Sequence, residues 1–225
     1  MGQKSSSRTT VACAESGRSP FFCSTTLHDG DGNDICSASK DDILSTVFIH
    51  KVMSLDGFIS KPDEMDYAWM GKYGSGGEMP NRMMGEVGAV IQGNRAFRDG
   101  TMSEDTLPYG GGDMAQFIVT HDAREPVVLG GLTFNFVTGG VERAVELARD
   151  AAGDKRVALL GASISQQCLK AGLVDEIVIH LVPLILGEGL SLFDHLGTEI
   201  ELKLEEIDAT DQVISLRYSV LPRTG

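Results

Sequence analysis

The 225-residue sequence predicts an α/β domain: a mostly parallel central sheet, helices on both faces, and an antiparallel hairpin at the C-terminal edge. Three observations predict it. Short β-branched runs alternate with helical periods through the middle of the chain, the order that gives parallel strands and covering helices. The last two apolar runs, LKLEEID and VISLRYSVL, are separated only by ATDQ and so pair as a hairpin. The roughly 180 residues that carry this pattern make one core of ordinary size.

Each element has its own signal. VFIHKVM (47–53) is a strand, ended by SLDG with turn chemistry at Asp56 and Gly57. FISKPDEMDYAWMGKYGSGG is a long loop with one helical turn near Asp66. GEMPNRMMGEVG is a helix running into the strand GAVIQG (88–93). AQFIVTH (115–121), PVVLG (126–130) and FNFVT (134–138) are further strands. In GVERAVELARDAAG, Val141, Ala144, Val145, Ala148 and Ala151 fall on one helical face, and Gly153 ends the helix. The strand RVALLG, the helix SISQQCLKAG and a long strand, VDEIVIHLVPLIL (174–186), complete the alternation.

Residues 1–45 differ from the rest. They are rich in Ser, Thr, Gly and Asp without an apolar period, which predicts a disordered tail before a domain spanning 46–225. MGQKSS also matches the short N-myristoylation pattern, a weak signal beside the polar tail. The net charge is −13, and the tail, with four Lys/Arg and six Asp/Glu, carries little of it. An acidic domain argues against a nucleic-acid partner, and no apolar run is long enough for a membrane span. Cys13, Cys23, Cys36 and Cys168 fit neither a zinc pattern nor a disulfide framework, so a reducing cytoplasm is expected. Cys168 reads as a small buried hydrophobe.

The stretch LLGASISQQ (159–167) has two readings. Beyond a parallel strand's carboxyl end, a glycine followed by a helix start offers unpaired amides and a positive dipole end to a phosphate. Alternatively, Ser163 and Gln166 form S-x-x-Q, a capping box that occupies those amides itself.

The wider string VALLGASISQQCLKAGLVDEIVIHLVPLILGEGLSLFD resembles the C-terminal half of the dihydrofolate reductase-like superfamily. The similarity is to the branch holding the reductase domain of the riboflavin-biosynthesis deaminase-reductase. AGLVDE (171–176) and the P-x-x-L-G-x-G-x-x-L-F motif (183–193) carry it, as does KVMSLDGFISKPDEMD at the front. The resemblance runs from Thr46 to Val220. It implies an NADPH-dependent reductase of a pterin-, pyrimidine- or flavin-like heterocycle, with NADH as a second possible cofactor, and a homodimer.

The resemblance also implies site residues. Leu160, Gly161 and Ala162 stand where paired glycines face the cofactor, and Ser163, Ile164 and Gln166 open the helix beneath its pyrophosphate. Gly93, Asn94 and Arg95 stand at the family's G-R-x-T, and Thr120 and His121 where relatives bind the 2′-phosphate. Leu55, Asp56 and Gly57 fall in the loop over the nicotinamide. Ala162, Asn94 and Ala96 depart from the pattern, adding a methyl group and removing phosphate-binding side chains; Arg95, His121 and Arg124 can supply charge instead. These departures support an alternative, a non-catalytic ligand-binding protein that retains the fold.

Reducing a C=N bond needs a hydride and a proton. Asp66 stands where the family places its carboxylate, with Trp69 as a stacking wall and Met53 on the substrate side; the competing role for Asp66 is a helix N-cap. His50 and His180 read as satisfied structural histidines inside strands. YGGGD (109–113) reads as a rim loop, and Met79, Met83 and Met84 as core filling that also suits an adaptable pocket.

Overall fold

A computed structural model of the chain describes residues 26–28, 34–36, 45–62, 72–73 and 77–222. The chain divides into two units, Met1–Ile43 and Leu44–Gly225. The first holds a short antiparallel pair, β1 (Thr26–His28) and β2 (Asp34–Cys36), with Leu27 opposite Ile35.

The second unit begins with β3 (Val47–Ser54) and β4 (Phe58–Ser60), then α1 (Glu78–Gly85), β5 (Val87–Gly93) and the one-turn α2 (Arg95–Arg98). Two 3₁₀ turns, Glu104–Thr106 and Pro108–Gly110, lead to β6 (Ala115–Val119), β7 (Val127–Leu129) and β8 (Leu132–Val137). There follow α3 (Gly140–Ala152), β9 (Arg156–Leu160), α4 (Ala162–Lys170) and β10 (Glu176–Val182). The chain closes with β11 (Leu190–Ser191), β12 (Leu202–Ala209) and β13 (Ile214–Val220).

Nine strands form one sheet in the order β12-β13-β10-β3-β9-β5-β6-β8-β7. From β10 to β8 every pairing is parallel. The expected C-terminal hairpin is β12–β13, antiparallel to each other and joined antiparallel to β10. Antiparallel pairing also occurs at the other edge, where the sequence reading had none: β7 folds back on β8 through Gly130 and Gly131, at φ 55° and 80°. Two successive left-handed residues suit the turns that match strand twist. The strand expected over 174–186 is shorter, because it stops before Pro183, which has no amide to continue the ladder. A separate pair, β4 with β11, lies outside the sheet and was not anticipated.

Helices cover both faces. On one, α3 and α4 bury Val141, Ala144, Val145, Ala148, Ile164, Cys168 and Leu169 against Ile49, Ile91 and Leu159. On the other, α1 buries Met79 and Met83 against Phe48, Val90 and Val178. The amide of Met79 in the first turn of α1 donates to Asp208 Oδ2 on β12, which fixes that helix to the hairpin. Salt bridges run in sequence through Arg82, Glu206, Arg217, Glu176, Arg156 and Glu86, lacing α1 to β12, β13, β10 and β9. Among the described residues no helix is long and apolar enough to cross a membrane.

Candidate active site

The carboxyl ends of β3, β9 and β5 lie side by side, and a cavity of about 900 Å³ opens beyond them. Its wall includes Gly93 at the end of β5 and Arg95 just after it, and Leu160, Gly161, Ala162, Ser163 and Ile164 at the β9–α4 junction. Of the residues the sequence assigned to a cofactor, these seven come together here.

The β9–α4 junction bears on the capping reading of its motif. The N-cap of α4 is Gly161, at φ 86° and ψ 141°, and no side chain caps it. This backbone conformation is costly for any residue with a Cβ, and a Cβ built there would have no neighbour within 4 Å. The N-cap thus lies two residues before Ser163, and the capping box does not form. Ser163 Oγ instead accepts from Gln167 Nε2, while Gln166 Nε2 donates to the carbonyls of Ser191 and Leu192. Gln166 is a tether between α4 and β11. Ala162, which replaces a glycine of the family pattern, is buried in the core on the α3–α4 side as well as belonging to the cavity wall.

Other assigned residues are engaged elsewhere. Asn94 Nδ2 donates to Thr120 Oγ1 at 3.1 Å, joining the tips of β5 and β6. Arg95 pairs with Asp99, and Arg124 stacks over Phe136 at 4.5 Å. His121 is exposed, and neither it nor Asn94 or Thr120 lines the cavity. In the SLDG turn, Gly57 N donates to Ser54 O with Gly57 at φ 90°, and Leu55 N donates to Leu184 O. Asp56 accepts from Ser54 Oγ (2.6 Å) and from the amides of Leu186 (3.1 Å) and Gly187 (2.7 Å). The Ser54 hydroxyl, then these amides, hold its carboxyl below the usual range. Asp56 therefore clasps two loops. Met53 packs against the core on the α3–α4 side and is not part of the cavity wall. Asp66 and Trp69 lie outside the described residues. Met79 and Met83 are core residues, Met84 is exposed, and Met102 lines the cavity.

The cavity contains polar groups that sequence reasoning treated as structural or passed over. His50 on β3 and His180 on β10 both line it, with their Nε2 atoms 2.6 Å apart. His50 Nδ1 meets Tyr109 Oη at 3.3 Å, and His180 Nδ1 meets Ser215 Oγ at 2.7 Å. Tyr109, from the YGGGD segment, stacks on His50 and sits at φ 54°, a strained conformation for a non-glycine residue. Burial, then the neighbouring His180 and Lys51, brings the His50 pKa down to about 3; burial brings His180 down to about 4. Both rings are neutral at physiological pH. Burial also raises the Tyr109 hydroxyl above its usual range and lowers Lys51, whose Nζ donates to Leu159 O at 3.1 Å, to about 7. The signal for this cluster lay in strand parity: His50 follows Phe48 by two, and His180 follows Val178 by two.

The family described as the RibD C-terminal domain matches residues 45–216. The uncharacterized protein YwjB of Bacillus subtilis (strain 168) is 23% identical over 171 residues, covering 76% of this chain and 95% of YwjB. A Shewanella sp. PV-4 protein named for riboflavin biosynthesis superposes with a TM-score of 0.60 at 23% identity, over 79% of this chain and 99% of that one. Dihydrofolate reductase from Enterococcus faecalis, solved with NADP(H), gives a TM-score of 0.51 at 11% identity, over 79% of this chain and 99% of that one. The match over residues 45–216, more than half of the chain, establishes that the chain belongs to the RibD C-terminal domain family, and its fold is the one it shares with dihydrofolate reductase.

Proposed function

We propose that the chain is an NADPH-dependent reductase of a pterin-, pyrimidine- or flavin-like heterocycle, working by hydride transfer. The observation that carries the reading is the uncapped start of α4 at Gly161, open to a cavity large enough for a heterocycle and part of a dinucleotide. The amides of Ala162, Ser163 and Ile164 would hold the diphosphate, with Gly161 allowing close approach. Gly93, Asn94, Arg95, Thr120 and His121 would meet the adenosine side, and the Leu55–Asp56–Gly57 turn would cover the nicotinamide. When bound, the reduced nicotinamide supplies the hydride. The chain's own task is to orient the ring, exclude water and furnish a proton at a ring nitrogen, a role we assign to Asp66 with Trp69 as the stacking wall. The cytoplasm, with its reducing poise, suits the four unpatterned cysteines.

A homodimer is part of the proposal. Leu202, Leu204, Ile207 and Ile214 are exposed on one face of the β12–β13 hairpin. Such a contiguous apolar face suits a second copy.

A non-catalytic binding protein is the competing reading, favoured by the Asn94–Thr120 and Arg95–Asp99 contacts, which occupy side chains a phosphate would need. Titrating the full chain with NADPH and with NADH, following nicotinamide fluorescence, separates the two. Saturable NADPH binding, with NADH weaker, is expected. No binding of either at millimolar concentration removes the reductase reading.

A further inference from the structure

Four buried side-chain polar atoms among the described residues have no hydrogen-bond partner: Gln92 Nε2, Asn94 Oδ1, Gln116 Oε1 and Arg149 Nε. Only Gln92 belongs to the cavity wall. It lies at the carboxyl end of β5, directly opposite Leu160 in register, and is 8% exposed. Burying an amide donor without an acceptor is unfavourable, and an apolar side chain of similar shape would avoid the penalty. A ligand that accepts from this donor offsets it.

The surroundings define that ligand. Gln92 shares a face with Val90, on the side of the sheet where Phe48, His50, Val178 and His180 also project. Leu160 lies between it and His50, giving a floor built by four neighbouring strands, with Tyr109 and Leu107 among the cavity residues beyond it. Tyr109, His50, His180 and Ser215 satisfy one another in a chain, which leaves Gln92 as the orphaned polar group of the floor. Lys51 and Arg95 belong to the cavity wall, but neither lies on this row: the histidines are neutral, Lys51 alternates to the other face of β3 and donates to Leu159 O, and Arg95 follows β5. The floor thus suits a neutral edge rather than a phosphate.

A primary amide presents N–H and C=O side by side. Its complement is a cyclic –NH–C(=O)– edge, joined through two parallel hydrogen bonds. Nε2 has no accessible surface, but the terminal torsion of glutamine is soft, so the amide plane can turn toward a ligand. We propose that Gln92 is a specificity-determining residue that reads the lactam edge of a pyrimidinone, pterin or flavin-type ring lying on this floor. The assignment rests on the reductase reading for the class of ring, and it adds the edge by which the ring is recognised.

The test uses the full-length chain and the fluorescent ring pteridine-2,4-dione, with its 1,3-dimethyl derivative, whose N–H groups are blocked. The dione is expected to bind the wild type, and the dimethyl compound about tenfold more weakly. Gln92→Met should lose about tenfold in dione affinity, no longer distinguish the two compounds, and melt at a higher temperature without ligand because the orphaned amide is gone. Undiminished dione binding by Gln92→Met overturns the proposal, as does no dione binding by the wild type. A lower melting temperature for ligand-free Gln92→Met also overturns it, because the amide must then be bonded within the fold. NADPH titrations of both proteins keep the failures apart. Gln92-dependent dione binding without any NADPH binding sinks the reductase reading alone, and NADPH binding with Gln92-independent dione binding sinks this assignment alone.

Discussion

His50 Nε2 lies 2.6 Å from His180 Nε2, which makes one ring the donor and the other the acceptor. The chain from Tyr109 through both rings to Ser215 therefore has two consistent directions, and in one of them the Tyr109 hydroxyl is left free to donate into the cavity. Neither direction accommodates two charged rings.

This pair makes stability depend on pH. The folded pKa values, about 3 and about 4, lie below the ordinary value of 6.5, so the unfolded chain takes up protons first as the solution is acidified. The contribution of the neutral rings is fully present above pH 6.5 and is lost as pH falls toward the folded values. Between pH 6.5 and 5 the loss reaches at most about 1.4 kcal/mol per pH unit for each ring. The carboxylates with depressed values, such as Asp56 and Glu206, begin from 3.8 and 4.5 and respond at lower pH. Urea unfolding at pH 7 and pH 5 should show a steep loss in the wild type and a shallow one in His50→Phe/His180→Leu. Equal slopes in the two proteins would refute the account.

Gly161→Ala separates backbone strain from ligand contact. At φ 86° and ψ 141°, a conformation essentially confined to glycine, an alanine costs about 1–3 kcal/mol, while its methyl group meets no protein atom within 4 Å. Gly172→Ala is the control, because Gly172 has φ 69°, equally open surroundings and no place in the cavity wall. Both variants should lose stability, and only Gly161→Ala should also lose NADPH affinity, by about tenfold or more. Equal affinity in both would mean that the cofactor does not approach Gly161.

The order of elements was legible because each has a local cause: Gly153 after the α3 period, ATDQ between the last strands, Gly161 after RVALL. The true cap of α4 was obscured because S-x-x-Q is a local pattern, whereas Gln166 is claimed by carbonyls of Ser191 and Leu192, distant in sequence. The floor of Gln92, His50 and His180 was hidden for a related reason. Strand parity tells which residues share a face of their own strand, but the neighbour order β10-β3-β9-β5 depends on crossovers that no single segment encodes. Likewise Ala162 reads in sequence as an obstruction in the cleft, and only the packing of α4 shows it buried in the core as well.

Gly189→Ala should disturb the β4–β11 pair. Gly189 has φ 152°, and a Cβ there would collide with the carbonyl oxygen of Ser60, a backbone atom that cannot swing aside. The strands must separate, at a cost of about 1–3 kcal/mol. Ser60 and Leu190 both line the cavity, so dione binding should weaken together with the melting temperature. An alanine variant with the wild-type melting temperature would contradict the pairing.

The hairpin β12–β13 has two unlike faces. One carries Lys203, Glu206, Asp208, Arg217 and Ser219, and its charges are engaged by the Arg82–Glu206–Arg217 bridges and by the cap that Asp208 gives to α1. The opposite face pairs Leu202 with Val220, Leu204 with Tyr218 and Ile207 with Leu216. Ile207 remains 58% exposed. An isolated chain gains nothing from that exposure, whereas a second copy stacked on the same face would bury both sets of side chains at roughly 25 cal/mol per Å² of apolar area. Light scattering should therefore give twice the chain mass for the wild type. Ile207→Glu should return the mass to that of one chain, because an unpaired carboxylate in a buried apolar interface is strongly unfavourable. Glu206→Gln, on the polar face, should leave the dimer intact. A wild-type mass of one chain, or an Ile207→Glu dimer as stable as the wild type, would exclude this face as the interface.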